Sequence, residues 1–193
     1  MPQKLENPGA FKLSMNKKTL ERIGQSIQTV WPHFNSRNFV STSKSLDALE
    51  LKARVHFIRD QLHEALPQDY RQALKILLAS LDIELLKGFD LWPYTEFVQT
   101  YGLEHPKISL AALKILTTKF TSEFAVRPFL LEDAQTTLRY LNDCALDDDP
   151  HVRRWASEGS RPRLPWGVRL DPFIRRPEST KSILEALKDD PSM

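Results

Sequence analysis

Glu158 stands in a stretch, Asp148 to Trp166, whose residue types suit chemistry on a charged molecule. Arg153, Arg154, Arg161 and Arg163 flank the carboxylate, and Trp166 follows in a loop stiffened by Pro162 and Pro165. From His151 to Arg176, seven arginines face only two acids, Glu158 and Asp171, and no lysine is among them. A guanidinium is planar and donates in a fork, so an all-arginine cluster favours bidentate phosphate recognition over mere solubility. The plain alternative is structural. Arg154 and Glu158 are four apart and could form a surface ion pair worth about 0.2–0.5 kcal/mol, with Trp155 in the core.

The elements that must position these groups can be read from the same residues. Asp149 is a good N-cap, and Pro150 sits at the first helical position, where its missing N–H costs nothing. Val152 and Ala156 share one face and form the buried stripe, with Trp155 beside them. Gly159 suits a left-handed C-cap, and Pro162 and Pro165 forbid continuation. Glu158 thus falls in the last turn, where the helix dipole disfavours a negative charge and the arginines favour it.

The remainder of the 193 residues is a scaffold large enough to bury a real core, with 41% hydrophobic and 27% charged residues. Net charge is only +2, so affinity for nucleic acid must come from local clustering. Cys144 is the sole cysteine, which excludes an internal disulfide and a cysteine-built zinc site. The five histidines lack metal-ligand spacing, and the six glycines form no phosphate-binding loop. No long apolar run or signal-peptide core exists, so a soluble, cytoplasmic protein is expected.

Apolar residues recur at three- and four-residue steps over Lys17–Trp31, from Ser45 to Pro67, Tyr70–Leu86, Asp90–Tyr101, Ser109–Phe120 and Asp133–Cys144. Met1 to about Ser14 reads as a loose leader, and residues 15–193 as one domain. No useful segment alternates with period two, so the expected class is all-α. The helices come in pairs joined by short Pro- or Gly-marked loops. Asp148-Asp149-Pro150 recurs as Asp189-Asp190-Pro191, 41 positions on. That period matches HEAT-like repeats, which stack into a right-handed α-solenoid. The second copy stops at Met193, where its capped helix should begin. The chain is therefore expected to end inside a C-terminal repeat, with Ile183, Leu184 and Leu187 poorly covered.

The segment His151-Val152-Arg153-Arg154-Trp155-Ala156-Ser157-Glu158-Gly159-Ser160-Arg161-Pro162-Arg163-Leu164-Pro165-Trp166 closely resembles the signature of bacterial AlkC-type DNA alkylation-repair glycosylases, relatives of the AlkD branch. Likeness extends to Leu49–Val55, Leu91-Trp92-Pro93 and Phe120–Phe129. The resemblance implies a monofunctional hydrolase of N-glycosyl compounds in base excision repair. Its substrate would be alkylated double-stranded DNA, chiefly N3-methyladenine, and it would need no metal or other cofactor. By motif, Glu123 and Glu158 match the family's functional acids. Trp166 would offer an aromatic face to the cationic sugar or base, and Arg127, Arg154, Arg161 and Arg163 would grip phosphates. The resemblance further implies a base left stacked. The protein would act as a monomer. Family members continue with another arginine-rich repeat, so part of the DNA-binding face would be missing here.

A rival from another class is a non-catalytic helical-repeat adaptor for DNA or an acidic protein. It would use the same arginines without needing Glu123 and Glu158 together. Glu123 could then simply cap a helix, and Trp31 and Trp92 are core residues on either reading.

Overall fold

Every regular element among the described residues, 9–192 in this computed structural model, is helical. The helices are α1 Gly9–Leu13, α2 Lys17–Val30, α3 Ser36–Ser41, α4 Leu51–Ala65, α5 Tyr70–Ser80, α6 Trp92–Tyr101, α7 Pro106–Thr117, α8 Arg127–Glu132, α9 Ala134–Cys144, α10 Pro150–Ser160, α11 Asp171–Arg175 and α12 Lys181–Leu187. The contacts divide into two compact units, Met1–Phe97 and Val98–Met193. Within the expected leader, Gly9–Leu13 is a short helix, and residues 1–8 lie outside the described residues.

In the first unit, Asn16 caps α2 by accepting from the Lys18 and Thr19 N–H groups. The stripe Leu20, Ile23 and Ile27 is fully buried and packs on α3 and α5. The helix expected from Ser45 to Pro67 breaks. A 3-10 turn covers Thr42–Leu46, Glu50 is extended, and α4 starts at Leu51. Leu46 is buried, but it belongs to the 3-10 turn. The buried Arg54 guanidinium instead takes the Leu49 carbonyl at 2.8 Å and the Met15 carbonyl at 2.9 Å. The Leu49 carbonyl, which a continuous helix would have used itself, is satisfied by this local bond, and the Met15 carbonyl before α2 by the long-range one. No helix among the described residues is long and apolar enough to cross a membrane.

The second unit is organised around α10, which packs on α7, α8, α9 and α12. Its start follows the expectation. Asp149 accepts the His151 N–H at 2.7 Å, and Pro150 occupies the first turn. The loop before it is pinned where Lys114 bonds Asp147 at 2.5 Å, which holds that carboxyl below the usual range. The internal echo has a structural counterpart. Asp190 accepts the Ser192 N–H at 2.9 Å, the same cap geometry as Asp149. Arg153 joins the two copies, donating to the Asp147 and Asp148 carbonyls and to both oxygens of Asp190. Its guanidinium, aided by Ser192, holds the Asp190 carboxyl well below the usual range.

The end of α10 differs from the expectation. Gly159 is not a left-handed cap but lies inside the helix, which runs on to Ser160. A Cβ there would stand 2.6 Å from Val126 Cγ1, so glycine is required by close packing. Ile183 and Leu187, expected to be poorly covered, are buried in the unit where α12 meets α9 and α10, and only Leu184 is exposed. Gly159→Ala is expected to cost about 1–3 kcal/mol through overpacking. In an open helix the same change would be favourable by up to about 1 kcal/mol. A shift of the denaturant midpoint to higher concentration would contradict the packing account.

Candidate active site

Four helices support one side chain constellation, all of it in the second unit. Buried Ser122 anchors the turn before α8. Its hydroxyl donates to the Leu113 carbonyl at 2.9 Å, and its N–H reaches Thr117 Oγ1 at 3.3 Å. The next residue, Glu123, is thereby fixed against α10. Its carbonyl lies 3.7 Å from where a Gly159 Cβ would be. Glu123 does not cap α8, whose N-cap is Val126 with no side-chain bond. Its Oε2 accepts instead from Thr121 Oγ1 at 3.0 Å and from Arg154 Nη2 at 3.0 Å.

Glu158 lies one turn along α10 from Arg154. The intrahelical pair Arg154–Glu158 open from the sequence is replaced by two other pairs. Arg154 crosses to Glu123, and Arg161 folds back so that Nη1 bonds Glu158 Oε2 at 2.8 Å. Both acids also act on Arg161, whose guanidinium is pushed above its ordinary value first by the Glu158 bond and more weakly by Glu123. The side chains of Arg154 and Arg161 are 56% and 51% exposed, whereas those of Glu123 and Glu158 are 12% and 28% exposed. The acids are set back and the cations reach outward. Such half-exposed pairs contribute only about 0–1 kcal/mol. Their arrangement matters more than their strength.

The polar face of α10, with His151, Arg154 and Glu158, forms one wall of a cavity of about 380 Å³. Leu187, Asp190 and Ser192 line the other wall.

Trp166 lies on the loop after α10 and is 68% exposed. Its φ of 65° is left-handed, a conformation costing a non-glycine residue about 1–3 kcal/mol. Arg163 in the same loop is exposed. Arg127 departs from its expected role. It is fully buried, and its guanidinium donates to main-chain carbonyls, those of Gly159 at 3.0 Å, Arg161 at 2.8 Å, Pro162 at 3.2 Å and also Val168. Burial, with Arg161 adding to it, pulls its pKa down to about 10. Buried and bonded in this way, Arg127 cannot grip a phosphate. Arg153 is likewise committed to the Asp-Asp-Pro turns, and Arg169 pairs with Asp171 at 2.6 Å. Of the four arginines expected to grip phosphates, Arg154, Arg161 and Arg163 point outward.

Sequence spacing missed Thr121, which orients Glu123, and the carbonyl cage of Arg127. The signal for Thr121 was present, since a hydroxyl two positions before an acid readily bonds it. Nothing in the spacing marks the cage. Among the described residues no group of three or more His, Cys, Asp or Glu is placed to hold a metal ion.

Helices alone, two recessed carboxylates bonded to outward arginines and a strained exposed tryptophan define an all-α scaffold presenting an acid, arginine and aromatic site. No family model matches the chain. Its backbone is similar to Pseudomonas fluorescens alkylpurine DNA glycosylase AlkC bound to DNA containing an abasic site analog, with a TM-score of 0.88 and 40% identity. That likeness covers 95% of this chain and 51% of the other. An uncharacterized Bacillus subtilis (strain 168) protein, YhaZ, is 37% identical over 180 residues, 92% of this chain and 50% of its own length. The chain thus spans about half the length of the relatives it matches. Over that half the chain is similar to this alkylpurine DNA glycosylase in both sequence and backbone.

Proposed function

We propose that this protein is a monofunctional alkylpurine DNA glycosylase that hydrolyses the N-glycosidic bond of purines alkylated on a ring nitrogen, chiefly N3-methyladenine, in cytoplasmic base excision repair. One observation carries the reading. Glu123 and Glu158 are set back on a turn and a helix packed together, and each is bonded to an arginine that reaches into solvent. A mere DNA-binding surface has no use for recessed acids, because carboxylates repel phosphate.

An alkylated base already carries positive charge and leaves readily. The enzyme's task is to stabilise the oxocarbenium-like sugar and to position water. Carboxylates suit both tasks, as in glycoside hydrolysis. Glu123 is the more buried and is oriented by Thr121 and Arg154, which suits a fixed electrostatic role. Glu158 is the more accessible, which suits the orientation of water. Trp166 would add a cation–π contact of roughly 0.5–2 kcal/mol to the charged sugar or base. A guanidinium has five N–H donors, so Arg154 and Arg161 can hold a carboxylate and reach a phosphate oxygen together. The helices are further read as HEAT-like repeats of a right-handed α-solenoid, acting as a monomer without a cofactor.

Arg163→Ala should weaken binding to any duplex about equally and reduce the salt slope by about one, since each phosphate contact releases counterions. Arg161→Ala should do the same and also slow excision, because Glu158 loses its partner. A DNA titration over salt concentration with unchanged slopes would count against the phosphate role. The function itself is tested by incubating the purified protein with methylated duplex DNA. Release of free 3-methyladenine is expected. Tight binding with no release would favour the adaptor.

A further inference from the structure

We infer that Arg127 is a positioning residue that sets the pose of Trp166, and not a phosphate ligand. Its guanidinium bonds carbonyls on both sides of the tryptophan in sequence. Gly159, Arg161 and Pro162 precede Trp166, and Val168 follows it. The loop is thus tied at each end to one rigid, planar, buried group. Leu170 N–H closes the same loop onto the Pro162 carbonyl at 3.0 Å, and Gly167 N–H turns it onto the Leu164 carbonyl at 3.1 Å.

Gly167 supports the inference independently. A Cβ at that position would lie 3.1 Å from Arg127 Cδ and 3.2 Å from Nε. A side chain on the residue after Trp166 would press on the guanidinium and displace one of the two by a few tenths of an ångström. The left-handed backbone of Trp166 is a strained conformation for a non-glycine residue, so the loop that carries it has to be constrained. The arginine cage supplies the constraint from below. A lysine could not replace it. Its three donors radiate from one point, whereas these carbonyls are spread around a fork. Burying a cation on neutral dipoles is costly, as its lowered pKa shows, and a loop of no consequence would not call for it.

This role rests on the reading of Trp166 as the aromatic face of the active site, but its test has a readout that does not. Arg127→Lys and Gly167→Ala are prepared, each with and without Trp166→Phe, so that the Trp166 emission is obtained by difference. In wild type, acrylamide quenching of that emission reports one exposed pose without any DNA. Both variants should change the quenching constant by at least about 1.5-fold. They should also slow single-turnover excision by about tenfold or more while changing affinity for undamaged duplex less than about threefold. Arg127→Ala, if folded, should recover rate on addition of free guanidinium ion. Unchanged quenching in both variants would overturn the inference. So would a loss of duplex affinity that matches the loss of rate, which would return Arg127 to phosphate binding. If Arg127→Lys does not fold, Gly167→Ala decides alone, since it adds a single methyl and leaves the guanidinium in place. Altered quenching in a protein whose wild type excises nothing would uphold the positioning role and reject the glycosylase reading.

Discussion

Glu158→Gln is expected to slow the chemical step by about 10²–10³-fold while leaving DNA affinity unchanged or slightly higher. The substitution keeps shape and hydrogen bonding but removes the charge that a positive sugar would feel, and removal of one preorganised electrostatic group has about that effect. Affinity should be spared, because next to a bound phosphate the acid's charge would be unfavourable. Glu123→Gln should slow the same step. Here the amide oxygen of glutamine can still accept from Thr121 and Arg154, so the charge is what is lost. If both acids act on one transition state, the double variant should lose less than the sum of the two in free energy. Rates from single-turnover excision decide the matter. A wild-type rate for Glu158→Gln would make that carboxylate structural, and strictly additive losses would mean the two act on separate steps.

The second large effect concerns the helix that carries Arg154 and Glu158. Trp155 is 1% exposed and meets Tyr140 edge-on at 6.4 Å between ring centroids. Trp155→Ala should cost about 3–5 kcal/mol by emptying the centre of the packing around α10. Trp155→Phe should cost far less. Among the described residues the indole N–H has no hydrogen-bond partner, so a ring without it loses area but no bond. Denaturant unfolding measures both. Equal losses for the two variants would mean that the indole nitrogen does make a bond.

The sequence made some of this site legible and hid the rest for physical reasons. The start of α10 was readable because an aspartate cap and a first-turn proline act within a few residues. Local chemistry of that kind survives folding. The end of α10 was not readable, because Gly159 answers to Val126, a residue far away in sequence. The same holds for Arg54, which takes the Leu49 carbonyl at the break before α4 and is held there by Met15, a residue 39 positions away. Glu123 and Glu158 were visible as a motif, and their partners were not. Arg154 was matched to Glu158 by spacing, yet it reaches Glu123, because the Ser122 anchor brings that turn within range. Arg127 is the sharpest case. The resemblance of Phe120–Phe129 to the family gave it a phosphate-gripping role, but its burial is a property of the folded chain.

The proposed function rests on a division of labour among these groups. Arginines that point outward would confer register on a duplex without reading its sequence. Discrimination would then come from the lesion itself, since only a cationic base leaves easily enough for two recessed carboxylates to complete the reaction. The central claim is that this arrangement breaks a glycosidic bond. Its most direct measurement is single-turnover release of 3-methyladenine from methylated duplex DNA under saturating protein, beside the Glu123→Gln, Glu158→Gln double variant. The account predicts release well above the spontaneous rate for wild type, an abasic product with the strand uncut, and loss of nearly all the enhancement in the double variant. Release by wild type at the rate of buffer alone, with the duplex fully bound, would contradict it.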